Sequence, residues 1–166
     1  MSRVYANCRS RTGPAILLME GDIRMNVKLP SSYRVALYIQ EDRNGEERSD
    51  SLLSQLQTLK TKVGRWGTIS DVYFDICSAK VSYRDRPGLS TLIADMRCER
   101  FDAILVTEIW RLFGDVEVGY ELGEVISSGG KFLISLDGLV DTSSGNTTLL
   151  EFYQWVHFQR FMNKLK

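Results

Sequence analysis

Asp85-Arg86-Pro87-Gly88-Leu89-Ser90-Thr91-Leu92-Ile93-Ala94-Asp95-Met96, followed after a polar link by Ala103-Ile104-Leu105-Val106, is the stretch on which the fold turns. Proline suits the first helical position, where its missing N–H costs nothing. Leu89, Leu92, Ile93 and Met96 then recur at the spacing that lines one helix face. Arg97-Cys98-Glu99-Arg100 reads as the solvated end of that helix. Ala103 to Val106 is apolar throughout and too short for a helix, so it predicts a buried strand. The same alternation continues in both directions. Upstream lie the strand Ile69 to Ile76, a helix marked by Leu52, Leu53, Leu56 and Leu59, and the strand Tyr33 to Ile39. Downstream lie a helix marked by Val118, Leu122, Val125 and Ile126, stopped by Gly129-Gly130, and the strand Phe132 to Leu136. Helices between short apolar strands mean right-handed crossovers. The expected class is α/β, a mostly parallel sheet with helices on both faces.

The two ends differ from this middle. Residues 1–32 are basic and punctuated by Pro14 and Pro30, and Ile23, Met25, Val27 and Leu29 alternate with polar residues as in a half-buried strand. They form an N-terminal extension, read either as a β-hairpin or as translation from an upstream start codon. The α/β domain is expected over residues 33–146. Residues 147–166 then form a long C-terminal helix whose Phe152, Trp155, Val156, Phe158 and Met162 wrap round more than one face. Such a helix needs burial on more than one side. One α/β layer covers one face, and a second subunit is the expected cover for the other.

At 166 residues, 43% hydrophobic and 25% charged, the chain has the size and composition of one globular domain. Its 21 basic and 21 acidic side chains cancel, so any DNA affinity must come from a local patch and is expected to be weak. Cys8, Cys77 and Cys98 form no CxxC pair and His157 is the single histidine, so no metal site and no cofactor is expected. Reduced thiols, a cytoplasmic location and no membrane span complete the expectation.

The order of elements resembles the catalytic domain of serine site-specific recombinases, the resolvase/invertase family. Asp85 to Leu89 reproduces its D-R-P-G-L motif. Ahead of it, Gln55 fits the glutamine of the first helix, and Asp75 and Ser78 fit the residues after the second strand. Behind it, Ile109-Trp110-Arg111-Leu112-Phe113-Gly114 stands where the family has L-D-R-L-x-R. Gly130 to Leu136, Asp141-Thr142-Ser143 and His157-Phe158-Gln159-Arg160 follow in the family's order. The resemblance covers about Tyr33 to Met162.

The resemblance implies site-specific DNA cleavage and religation through a phosphoserine, with arginines holding the phosphate. Guanidinium suits that task because its planar fork grips two phosphate oxygens and stays charged. This sequence departs from the pattern at four positions. Asp42 stands for the nucleophilic serine, Gln40 for the adjoining arginine, Trp110 for the aspartate before Arg111, and Gly114 for the next arginine. Loss of one transition-state donor typically costs roughly a hundred- to a thousand-fold in rate. Attack by Asp42 would give an acyl phosphate that hydrolyses instead of religating. Arg86 and Arg111 are candidate phosphate contacts, or structural partners of Asp42, Glu41 or Asp75. Trp110 either plugs the emptied pocket or offers a stacking face. Three functions follow. The first is an inactive domain that acts by assembly in DNA recombination or its regulation, as a homodimer or with an active relative of a mobile element. The second is a divergent but active recombinase fragment. The third is the fold reused as a protein-interaction subunit.

Overall fold

The computed structural model describes residues 33–44, 51–64, 67–114 and 116–165. The N-terminal extension, with its candidate hairpin, lies outside the described residues. Strands β1 (Tyr33–Glu41), β2 (Gly67–Ile76), β3 (Ala103–Val106) and β4 (Phe132–Ser135) form one sheet in the order β2-β1-β3-β4. Every pairing is parallel. Between and after them run α1 (Leu52–Val63), α2 (Pro87–Arg97), α3 (Val116–Gly129) and α4 (Thr148–Lys164).

Each face of the sheet has its own core. Ala36, Tyr38, Ile104, Val106 and Leu133 point to one side, where they pack with α2, α3 and Leu150 of α4. Val35, Leu37, Ile39 and Leu105 point to the other, under Leu59 and Val63 of α1. Helices therefore do lie on both faces, and β3, with every residue buried, is the central run its composition predicts. β1 extends two residues beyond the expected end because Gln40 and Glu41 pair with Asp75 and Ile76. That extra length sets the register at which β1 delivers its last side chains.

Local chemistry accounts for the helix starts. Ser51 Oγ accepts from the Ser54 N–H at 3.2 Å and caps α1. Arg86 sits at the N-cap of α2 in an extended conformation, as a residue before proline must. Its side chain caps nothing. The cap comes instead from Asp75 of β2, which accepts from the Gly88 N–H at 2.8 Å and the Leu89 N–H at 2.9 Å. Gly88 has room for no side chain, since a Cβ there would overlap the Phe74 carbonyl.

α4 crosses α3 closely. A Cβ on Gly119 would come within 2.6 Å of Tyr153 Cβ, and one on Gly123 within 2.7 Å of Gln154 Nε2. Tyr153 also donates its hydroxyl to the Phe113 carbonyl at 3.2 Å, and His157 stacks on Tyr120 with ring centres 4.0 Å apart. Within α4 only Leu150 is buried. Phe152, Trp155, Phe158, Phe161 and Met162 are all exposed.

Among the described residues, no helix is long and apolar enough to cross a membrane, and no group of three His, Cys, Asp or Glu is placed to hold a metal. Cys77 is a free thiol, but Cys98, the C-cap of α2, is disulfide-bonded. For Cys98 this departs from the expected reduced thiol, while Cys77 keeps it.

Candidate functional site

The carboxyl ends of β1 and β2, the N-terminus of α2 and the turn after β3 meet at one place, and most of the residues singled out in the sequence gather there. Asp75 is 4% exposed and anchors it. Besides capping α2, its Oδ2 accepts from the Tyr38 hydroxyl at 2.8 Å and lies 3.9 Å from Arg86 Nε. Burial pushes the Tyr38 phenol far above its ordinary pKa, so it stays protonated and keeps donating.

Arg86 has no exposed surface. Its Nη1 donates to the Ala79 carbonyl at 3.2 Å, and its Nη2 donates to the Tyr38 oxygen and the Arg111 carbonyl. The Tyr38 hydroxyl thus relays between Arg86 and Asp75, giving and receiving one bond each. Nε faces Asp75 as an ion pair without a hydrogen bond.

Arg111, 2% exposed, sits on a short 3-10 turn at Ile109–Arg111. Asp137, from the loop after β4, fixes that turn by accepting from the Ile109 N–H at 2.9 Å. Arg111 Nε donates to Glu108 Oε2 at 2.6 Å, and Nη1 donates to the Gln40 carbonyl at 2.7 Å and to Gln40 Oε1 at 3.3 Å. Trp110, 46% exposed, lays its ring 4.5 Å from the Arg111 guanidinium carbon. That distance is within cation–π range, so Trp110 roofs the arginine instead of standing apart from it.

Gln40 and Gln55 form a reciprocal buried pair. The Gln40 N–H donates to Gln55 Oε1 at 3.1 Å, and Gln55 Nε2 donates to the Gln40 carbonyl at 2.7 Å. Asp42 lies at the rim, where its Oδ1 accepts from the Asn44 N–H at 3.0 Å. Gly114 packs so tightly on the loop after β2 that a Cβ would overlap the Ala79 carbonyl. Ser78 turns its hydroxyl to the Lys80 N–H at 3.3 Å within that loop.

Of the carboxylates weighed as arginine partners, Asp75 is the one beside Arg86. Arg111 pairs with Glu108, which the sequence reading did not name, while Glu41 pairs with Arg43 at 3.2 Å. Tyr38 carries no expected role in the sequence beyond its place in the first strand, yet it bridges Arg86 and Asp75. The i, i+3 spacing of Glu108 and Arg111 was the one available signal for that pair. A cavity of about 400 Å³ lined by Met96, Val125, Ser128 and Lys131 lies where α2 and α3 end, away from this cluster.

The fold and site together define an α/β domain that sets two arginines and their carboxylates at the carboxyl edge of a parallel sheet. A family model described as the resolvase N-terminal domain matches residues 43–160. Among solved structures, the chain is similar to the N-terminal catalytic domain of TP901-1 integrase, with 25% identity and a TM-score of 0.62 over 80% of this chain and 98% of that one. It also shares the fold of the C-terminal catalytic domain of ISC1926 TnpA, an IS607-like serine recombinase, at 21% identity and a TM-score of 0.52 over 62% of this chain and 70% of that one. A comparison with curated protein sequences finds no match. The chain belongs to the resolvase N-terminal domain family, the catalytic-domain family of serine recombinases.

Proposed function

We propose that this domain keeps the recombinase fold without strand cleavage and acts by assembly in DNA recombination or its regulation. The observation that carries the reading is the state of the two arginines. Arg86 and Arg111 lie beneath the surface, and the hydrogen bonds described for them all go to this chain's own carbonyls, carboxylate and phenol. A phosphate arriving at such a site must break several buried hydrogen bonds, each worth about 0.5–1.5 kcal/mol, before it makes any. Asp42 and Glu41 add two carboxylates at the approach, with no serine hydroxyl at position 42 to attack.

The test is a nicked-duplex suicide substrate that traps any covalent complex, resolved on denaturing gels. No protein–DNA adduct is expected. Asp42→Ser alone is expected to restore none, because Gln40 and Gly114 still stand where the family has arginines. An adduct formed by the unaltered chain and lost in Asp42→Ala would overturn the reading and favour a divergent active enzyme.

Assembly is proposed to run through α4, as a homodimer or as a heterodimer with a cleavage-competent relative. Phe152, Trp155, Phe158 and Met162 are each between 42% and 58% exposed on a helix whose other side already packs on α3. Burying one large apolar side chain contributes roughly 1.5–3 kcal/mol, so several shared across an interface favour association strongly. Left in water, they form the kind of patch soluble monomers avoid. Sedimentation at low micromolar concentration is expected to show a species near twice 18.9 kDa. Trp155→Glu with Phe158→Glu is expected to give a folded monomer. A monomeric unaltered chain would exclude the homodimer.

A further inference from the structure

Gln40 has no exposed surface, and each of its four polar groups is committed. The backbone N–H and C=O bind Gln55, and the C=O also receives Arg111 Nη1. Side-chain Oε1 receives Arg111 as well, while Nε2 donates to the Cys77 carbonyl. That last bond matters because β1 and β2 stop pairing at Glu41 and Ile76. Beyond Ile76 the ladder no longer holds the chain, and the Gln40 carboxamide is the next tie. The loop it holds runs from Cys77 to Val81. A second tie follows two residues on, where Arg86 Nη1 binds the Ala79 carbonyl, the same carbonyl that abuts Gly114.

The geometry points to Gln40 as the bolt of an autoinhibitory closure: its carboxamide holds loop 77–81 shut against Arg86, itself occupies Arg111, and so keeps phosphate off both guanidinium groups. An amide can do this because it carries an acceptor for Arg111 and a donor for the loop. An arginine at the same place has no acceptor, and it would add a third buried positive charge beside two others, which only an anion could offset. The residue type at position 40 thus decides whether the arginines are neutralised from within or by a ligand. The inference rests on the reading of this site as closed to DNA, but its test uses no DNA, so failure of the one is distinguishable from failure of the other.

The half-buried free thiol of Cys77 opens the loop and reports on its closure. The test follows modification of Cys77 by an aromatic disulfide reagent in the full chain, with site-resolved peptide mass spectrometry as the readout. Gln40→Glu keeps an acceptor for Arg111 and loses the donor to Cys77. Its Cys77 rate is expected to rise about ten-fold, the change that loss of one hydrogen bond brings to a two-state closure. Gln40→Ala is expected to behave likewise and, in addition, to gain thermal stability in millimolar inorganic phosphate that the unaltered chain does not gain. An unchanged rate in folded Gln40→Glu overturns the bolt. So does a Cys77 in the unaltered chain that reacts as fast as in the urea-unfolded chain, whatever the variants do. A rate increase without the phosphate effect overturns the claim that the closure guards an anion site.

Discussion

Arg86→Met is expected to destabilise the domain by about 3–5 kcal/mol, the range for removing one partner of a buried ion pair. Methionine fills much of the same volume, so packing loss is small and the electrostatic loss dominates. What remains is Asp75 buried with its cation gone, together with the Ala79 and Arg111 carbonyls, which lose the donors described above. Urea unfolding followed by circular dichroism measures this directly as a fall in midpoint at constant m-value. A companion Asp75→Asn variant separates charge from contact. Asparagine can still accept from α2 but needs no cation, so the double variant should lose less than the sum of the two single losses. Additive losses would mean that the ion pair is not what Arg86 contributes. A loss below about 0.5 kcal/mol, the ordinary range of a surface substitution, would mean that Arg86 is not held as described.

Gly114→Arg installs the residue that the resemblance implies at that position, yet it is expected to cost about 3 kcal/mol, the upper end of the usual overpacking range. The conflict is with the Cβ, not the charge, since even that atom would overlap the Ala79 carbonyl. That carbonyl cannot retreat cheaply, because Arg86 holds it at 3.2 Å. Gly114→Ala should therefore show most of the same loss, and thermal denaturation of the two variants side by side tests the claim. If Gly114→Arg is as stable as the unaltered chain, the loop after β2 has another position and the closure around Gln40 falls with it.

A serine at position 42 leaves Gln40 bonded to Arg111, and an arginine at position 114 pushes on the loop that Gln40 and Arg86 hold. Positions 40, 86 and 114 are coupled through backbone contacts, so a single substitution at one meets the packing of the others. Interacting sites of this kind are where additivity fails.

The sequence by itself determined the layered architecture and the family. Helical spacing in Leu89, Leu92, Ile93 and Met96, and unbroken apolarity in Ala103 to Val106, are local periodicities that one kind of backbone satisfies. Burial of Leu89, Leu92 and every residue of β3 follows from them. The intact Asp85 to Leu89 motif carried the resemblance, and the apolar excess of α4 was visible because it exceeds what one face can cover. The tertiary structure alone decided what the site residues do. Arg111 meets Gln40 across 71 positions, Arg86 meets Tyr38 across 48, and Tyr38 meets Asp75 across 37. Such meetings leave no period in a chain, because a side-chain hydrogen bond depends on where two remote backbones bring their atoms. The same reason hid the need for glycine at position 114, whereas Glu108 lies only three residues from Arg111 and its pairing is a local one. Periodicity records which face of an element is dry, and only the assembled sheet records which buried charges neutralise one another.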